Sequence, residues 1–375
     1  MAGITTAIPS SAVCRVPRKN RAWRALRISI SVGITVAIFA LVIPKVADYS
    51  QVWGTIAGLS VWEVLLLALV MTLHLFTYWP QQTAAMPGLT LGQAAVNAQT
   101  TTSIANVLPG GPPVAVAFSY CIYRSWGFTK AEIVLQAMLT GIWNIYVKLA
   151  LPVIAIVVLA FYGHFSIGLF VAAVIGAGAL AGSVVAFAFM LRRKALARRM
   201  GAALGRIASA LRRVVRKPAV RGWGEATVGL RAQTITLVVK QWLPLTFYTV
   251  LSQCALFAVL VLSLRFVGVS AHQVSWAEIL GVFAFVRLLA TLPLTPGGIG
   301  VVELGYISGL ALAGGDHAKV VAGVLLFRAL SYGVQVPLGG ITYIVWRRKK
   351  GWLTSPPRFG PLPGHQSAPP VLVPA

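Results

Sequence analysis

The chain has 375 residues, of which 58% are hydrophobic and only 10% are charged, and its mean hydropathy is +0.81. This composition excludes a soluble globular protein and predicts a multi-pass membrane protein, because several apolar runs reach the roughly 20 residues that span a bilayer. The formal net charge of +25 does not indicate a nucleic-acid partner, since the basic residues lie in three blocks beside apolar runs and no nucleic-acid motif accompanies them.

The cysteines and histidines give no sign of a cofactor. Cys14, Cys121 and Cys254 are scattered and odd in number, so neither a disulfide framework nor a zinc site is predicted. The five histidines form no metal-binding motif. His74 lies inside an apolar run, where we expect a packed, hydrogen-bonded side chain. The sequence therefore predicts no metal and no cofactor.

The first half of the predicted transmembrane domain covers residues 28–191, after a basic segment, residues 1–27. We interpret the first apolar run as a retained span, because the residues after it do not match a signal-peptide cleavage site. The full spans predicted in this half are residues 28–43, 61–79, 131–162 and 165–191.

An unusual polar stretch interrupts this half between its second and third spans. Residues 91–107 are small and polar, and the chain then breaks at Pro109, Gly110 and Gly111 before an apolar limb, residues 114–123. Each limb is too short for a comfortable crossing, and basic residues follow the second limb. The pattern predicts a re-entrant helical hairpin.

The second half covers residues 222–346 and is reached through a basic segment, residues 192–221. Apolar residues recur there at helical spacing between Arg and Lys, which is typical of a helix on an anionic bilayer surface; a solvated cytoplasmic loop fits equally well. Full spans are predicted for residues 237–264 and 318–346. Residues 347–375 form a basic and then Pro-rich tail that we expect to be disordered.

A second break lies between these two spans, in residues 286–306. Pro removes a backbone donor and Gly permits unusual backbone angles, so we expect no continuous helix through this stretch. In lipid, broken backbone persists only inside protein or against a water-filled cavity. The residues of the break are Pro293, Pro296, Gly297, Gly298 and Gly300, with Arg287 before them and Glu303 after them.

The two breaks predict an internal duplication. In both Pro109-Gly110-Gly111 and Pro296-Gly297-Gly298, two further residues and then a Val follow, and each motif lies between polar-interrupted apolar limbs. The positive-inside bias predicts that the two hairpins enter the membrane from opposite faces and that both termini lie in the cytoplasm. The expected fold is all-α, with about six full spans and two broken hairpins in an inverted-topology repeat, which places a substrate site near the midplane.

The run from Pro296 to Glu303, with Arg287 before it and Arg328 after it, resembles the lysylphosphatidylglycerol synthase transmembrane family, also called flippase-like domain proteins. The stretches 106–111 and 124–128 are similar to the family's first-half motif. The resemblance implies a lipid translocase of a bacterial-type cell membrane. It also implies that the chain is not an enzyme, because only a short tail follows Trp346, where the family's lipid-making members carry a soluble synthase domain.

The candidate site residues suit an anionic lipid headgroup. Arg offers planar bidentate hydrogen bonds to phosphate, and glycine amides at a helix start favour an anion. Glu303 is expected to bind a headgroup amine, hold an arginine or take a proton, or else to form a buried structural ion pair. The predicted site comprises Glu303, Arg287, Arg328, Lys148, Asn106, Pro109, Gly110, Gly111, Pro296, Gly297, Gly298 and Gly300.

Three functions remain open on the sequence. The first is translocation of an anionic or aminoacylated phospholipid, or of a polyprenyl-linked lipid. The second is a non-catalytic subunit that anchors or regulates a separately encoded lipid-modifying enzyme. The third, a membrane-embedded lipid transferase, is the least favoured, because seven mostly isolated acidic residues are hard to assemble into a two-carboxylate metal site.

Overall fold

The computed structural model describes residues 54, 57–108, 111–163, 167–193, 223–291, 298 and 300–348. The predicted first span, the basic segment before it, nearly all of the linker and nearly all of the tail lie outside these residues, as do Pro109, Gly110, Pro296 and Gly297. The described residues form helices and no strand, which confirms the all-α membrane fold.

The helices fall into two halves. The first half holds α1 (Val61–Ala85), α2 (Leu91–Val107), α3 (Gly111–Ser125), α4 (Lys130–Phe161) and α5 (Ile167–Arg192). The second half holds α6 (Trp223–Phe266), α7 (Trp276–Leu289), α8 (Val301–Leu312), α9 (His317–Arg328), a π-helical turn (Ala329–Gly333) and α10 (Gln335–Arg348).

Short polar motifs determine where several helices begin. Ser60, Thr129 and Ser275 each accept a hydrogen bond from the backbone of a glutamate three residues later, whose carboxylate bonds back to the cap. Such a capping box satisfies backbone donors that a helix start leaves free. The three glutamates that complete these boxes are Glu63, Glu132 and Glu278.

Four described helices are long and apolar enough to cross a membrane: Val61–Ala85, Lys130–Phe161, Arg231–Phe266 and His317–Arg348. α5 contributes a shorter apolar helix, Ala173–Phe189. With residues 28–43 outside the described part, the expected number of about six spans stays a prediction.

Isolated prolines do not end these helices. α1 continues through Pro80 to Ala85, beyond the predicted end of the span at residue 79, and α4 and α6 contain Pro152 and Pro244. Neighbouring helices and local adjustments satisfy the carbonyl that a membrane proline leaves free. The chain breaks instead where proline is combined with glycine.

Both predicted breaks are present. α2 and α3 have 17 and 15 residues, and α7 and α8 have 14 and 12. These limbs are about 18 to 26 Å long, less than the roughly 30 Å of a bilayer's hydrocarbon core. α7 ends at Leu289 and α8 begins at Val301, so the prediction that residues 286–306 do not form one helix is confirmed.

The hairpin limbs approach closely at the first break. A Cβ atom on Gly111 would lie 2.2 Å from the carbonyl oxygen of Ala105. No side chain fits that gap, which accounts for glycine at the first position of α3.

The turns after the two hairpins have the same geometry. Gly127 and Gly314 take left-handed φ values of +92° and +99°, and they are separated by the same number of residues as Pro109 and Pro296. In each turn, the residue after the glycine donates a backbone hydrogen bond five residues back. N-caps at Thr129 and Asp316 then start the next helix. The match supports the internal duplication.

The corresponding helices α1 and α6 of the two halves run antiparallel. α1 packs along α6, where His74 meets Ser252 and Gln81 bonds Thr249, so residue numbers rise along one helix as they fall along the other. An antiparallel arrangement of equivalent helices is what an inverted repeat produces.

Each hairpin packs on the other half. In the first hairpin, α2 lies against α10, where Ser103 bonds the carbonyl of Val336. In the second hairpin, α7 lies against α4, where Trp276 bonds Tyr162. The two halves therefore pack against each other through both hairpins.

Candidate functional site: an intramembrane cation cluster

Glu303 is a buried carboxylate, only 3% exposed, in the first turn of α8. Its Oε1 accepts a hydrogen bond from Arg328 Nε at 2.5 Å, and its Oε2 accepts one from the Gly300 backbone N–H at 2.6 Å. Gly300 has a φ of +86°, a conformation that side chains disfavour. The glycine break therefore sets the turn that lets Glu303 fold back on its own helix start.

Arg328 ends α9, directly before the π-helical turn. Its guanidinium carbon lies 3.8 Å from the centre of the Tyr332 ring, and its charge is paired with Glu303. Single π-helical turns inside α-helices are frequent at functional sites. The turn interrupts the last predicted span, which the sequence did not indicate.

Arg287 belongs to the same region but is not the partner of Glu303. Its Nε donates a hydrogen bond to Gln253 Oε1 on α6 at 3.2 Å. Arg328, Tyr306 and Tyr332 lie within electrostatic reach of its guanidinium. The only polar group that it bonds among the described residues is thus neutral.

Lys148 approaches this region from α4 and is an electrostatic neighbour of Arg287. We call Arg287, Arg328, Lys148 and Glu303 the cation cluster. Within the described residues, neither Arg287 nor Lys148 pairs with a carboxylate. Three cations therefore share one acid at a place where charge is costly.

The remaining predicted site residues lie at the breaks. Gly298 has a φ of +71° in the second break, and the amide of Gly300 is already used by Glu303, so it is not free to bind an anion in this conformation. Asn106 lies half-buried near the end of α2 and makes no hydrogen bond with another described residue.

An apolar groove with a cavity volume of about 390 Å³ opens between α1, α2, the π-helical turn and α10. Thr72, Phe76 and Val334 are exposed at its rim. Its volume lies in the range of small-molecule sites. Met71 and Leu75 line the groove and also belong to the core cluster that contains Tyr306, so the groove adjoins the packed core of which Tyr306 is part.

A comparison with models of protein families identifies a family for this chain. The model of the lysylphosphatidylglycerol synthase transmembrane region matches residues 27–339. The chain belongs to this family. No curated protein sequence matches it.

The lysylphosphatidylglycerol synthase transmembrane family comprises membrane proteins of lipid metabolism or translocation. The matched range contains every described residue of the cation cluster and both hairpins. This chain is accordingly a multi-pass membrane protein. The match confirms the family that the run from Pro296 to Glu303 indicated.

The sequence did not indicate three residues that lie beside the cation cluster of this family member. Gln253 holds Arg287, Tyr332 stacks on Arg328, and the Tyr306 hydroxyl is buried with no hydrogen-bond partner among the described residues. The position of Tyr332 four residues after Arg328 was the available signal, since residues at that spacing share a helix face. Nothing local marks Gln253 as a partner of Arg287.

Proposed function

We propose that this protein translocates an anionic or aminoacylated phospholipid, or a polyprenyl-linked lipid, across the membrane. The observation that carries the proposal is the excess of positive charge in the cation cluster. An uncompensated cation at membrane depth is unfavourable, and an anionic headgroup supplies the missing charge.

The chemistry of the cluster suits a phosphate. The described bond of Arg287 uses only its Nε, which leaves the two terminal nitrogens as further donors. The Tyr306 hydroxyl, an electrostatic neighbour of both arginines, adds one more donor that has no partner among the described residues. An arginine fork with a hydroxyl beside it is a strong phosphate-binding set.

The apolar groove suits the rest of a lipid. It is lined mainly by apolar side chains and opens at the exposed residues Phe76 and Val334. The groove includes Leu330 of the π-helical turn, two residues after Arg328. A headgroup site and a chain site on neighbouring elements fit an amphiphilic substrate.

The described acidic side chains support a non-catalytic role. Glu63, Glu132, Glu278 and Asp316 all cap helix starts, and Glu303 caps α8 while pairing Arg328. None of the described residues group into a set of three or more metal-binding side chains.

We propose a bacterial-type cytoplasmic membrane, with the N-terminus, the linker at residues 192–221 and the C-terminus on its inner side. The argument is the basic composition of all three segments and the positive-inside bias. Single cysteines introduced into each segment of a cysteine-free variant test this arrangement. Labelling of any one of them from outside intact cells would contradict it.

Reconstitution of the purified protein into vesicles tests the function. Fluorescent phosphatidylglycerol and phosphatidylcholine, each placed in one leaflet, report movement by loss of fluorescence to a membrane-impermeant quencher. We expect the protein to accelerate movement of phosphatidylglycerol more than that of phosphatidylcholine. The same assay is applied to phosphatidylglycerol, its lysyl ester and a polyprenyl phosphate. The proposal would be overturned if each lipid crossed the bilayer at the same rate in protein-containing and protein-free vesicles.

A further inference from the structure

Two residues that line the apolar groove carry buried polar atoms without a partner. Trp79 Nε1 and Gln99 Oε1 make no hydrogen bond with another described residue, and Gln99 is only 4% exposed. Buried polar groups nearly always have a partner, and leaving one without a partner costs free energy. A ligand in the groove that carries polar atoms would relieve this cost.

The other two polar side chains that line the groove are already satisfied. Thr72 Oγ1 donates a hydrogen bond to the carbonyl of Ala68 at 2.7 Å. Thr342 Oγ1 donates one to the carbonyl of Leu338 at 2.9 Å and lies 3.0 Å from the hydroxyl of Thr100. Among the described lining residues, the unmet hydrogen-bonding capacity therefore belongs to the indole and the amide.

Packing holds both of these side chains at the groove. The ring of Phe76, which is exposed at the rim, has its centre 4.5 Å from that of the Trp79 ring. Gly339 lets α10 approach α2 closely, because a Cβ atom there would lie 2.7 Å from the backbone oxygen of Gln99. Trp79 on α1 and Gln99 on α2 are thus brought to one groove by contacts that leave their polar atoms unpaired.

The chemistry of the two side chains describes the ligand. An indole N–H only donates, whereas a glutamine amide carries an oxygen acceptor and an NH2 donor group that exchange places when its last side-chain bond rotates. The remainder of the lining is mainly apolar. A matching ligand is an apolar chain with hydrogen-bond acceptors near one end. The two ester carbonyls of a diacyl phospholipid are such acceptors, and ether-linked or polyprenyl chains have no carbonyl.

We propose that Trp79 and Gln99 bind the ester carbonyls of a diacyl phospholipid whose acyl chains lie in the groove. The Trp79 N–H donates to one carbonyl, and the NH2 group of Gln99 donates to the other. The proposal rests on the function proposed above and selects one of its substrate classes, because it favours ester-linked phospholipids over polyprenyl-linked lipids.

Native mass spectrometry of the full chain in detergent tests the proposal. Phosphatidylglycerol with two ester-linked chains competes with an analogue that has two ether-linked chains of the same length, and the two complexes are distinguished by their mass. We expect the ester-linked lipid to bind more tightly by about 2- to 12-fold for each carbonyl that accepts a hydrogen bond. The measurement reports binding and does not depend on lipid movement.

Three variants locate the preference. Trp79→Phe keeps an aromatic ring and removes the N–H, and Gln99→Leu keeps a side chain of similar size and removes the amide. We expect each to lower the preference for the ester-linked lipid by about the factor of one hydrogen bond. The matched control is Trp62→Phe, which removes an indole N–H from a tryptophan of the same helix that is 81% exposed, and it should keep the wild-type preference.

The outcomes separate this proposal from the proposed function. Equal binding of the ester- and ether-linked lipids by the wild type, or an unchanged preference in Trp79→Phe or Gln99→Leu, would overturn the ester site and leave the proposed function standing. If a variant does not fold, the wild-type preference decides alone. Vesicles in which no lipid moves faster with the protein would remove the proposed function, and a preference for ester-linked lipid would then establish a lipid-binding site without transport.

Discussion

Replacing Glu303 by Gln is expected to lower the free energy of unfolding by about 3–5 kcal/mol, because the change leaves Arg328 buried without its counter-charge. An amide also keeps one acceptor oxygen and replaces the other with an NH2 donor group, so its two ends cannot accept from both Arg328 Nε and the Gly300 N–H as the carboxylate does. Thermal unfolding in detergent measures the loss. We expect lipid translocation to fall with it, since the Gly300 turn and the start of α8 depend on the same side chain.

A double variant separates the charge pair from the shape of the site. Glu303→Leu combined with Arg328→Met removes both charges, and replacing a buried pair with apolar residues of similar volume is often neutral for stability. We expect the double variant to melt close to the wild type and to translocate poorly. If Glu303→Gln melts as the wild type does, the pair has no structural role; normal translocation in that stable variant would also remove Glu303 from the mechanism.

Replacing Arg287 by Gln is expected to slow translocation of phosphatidylglycerol by about 10- to 150-fold. That range corresponds to losing one charged hydrogen-bonding partner worth about 1.5–3 kcal/mol. Stability should change little, because the bond that Arg287 makes among the described residues is to the neutral side chain of Gln253. The vesicle assay measures the rate, and thermal unfolding checks that the fold is intact.

Two further variants show whether position or charge matters. Lys240→Gln removes a positive charge from an exposed position of α6 and should leave the rate within about twofold, because exposed charges are screened. Arg287→Lys keeps the charge without the planar fork and should give an intermediate rate. Equal losses in Arg287→Gln and Lys240→Gln would contradict a specific role for Arg287.

The sequence by itself determined the local breaks in the chain. Pro109-Gly110-Gly111 and the Pro293 to Gly300 stretch predict helix ends through backbone chemistry that acts within a few residues: proline lacks a donor, and glycine permits torsions that other residues avoid. An isolated proline, by contrast, does not end a helix in this structure. α1 passes through Pro80, because a proline without glycine beside it leaves one unpaired carbonyl that a membrane helix accommodates.

The sequence also predicted an internal duplication, because both halves contain the Pro-Gly-Gly motif between similar apolar limbs. The sequence indicated the inverted orientation of the second half relative to the first only through the distribution of basic residues between the spans. The antiparallel contact of α1 with α6 supports that inference independently. The sequence did not predict which span each hairpin packs against, because that packing depends on side-chain contacts between segments far apart in the chain.

The tertiary structure alone decided how the buried charges are partnered. The sequence left Arg287 and Arg328 as equal candidates for Glu303, and the fold pairs Glu303 with Arg328 and Arg287 with Gln253. It also brought His74 beside Ser252. Ion pairs and hydrogen bonds act over a few ångströms, so their partners follow from where helices are packed, whereas a helix break follows from the residues that form it.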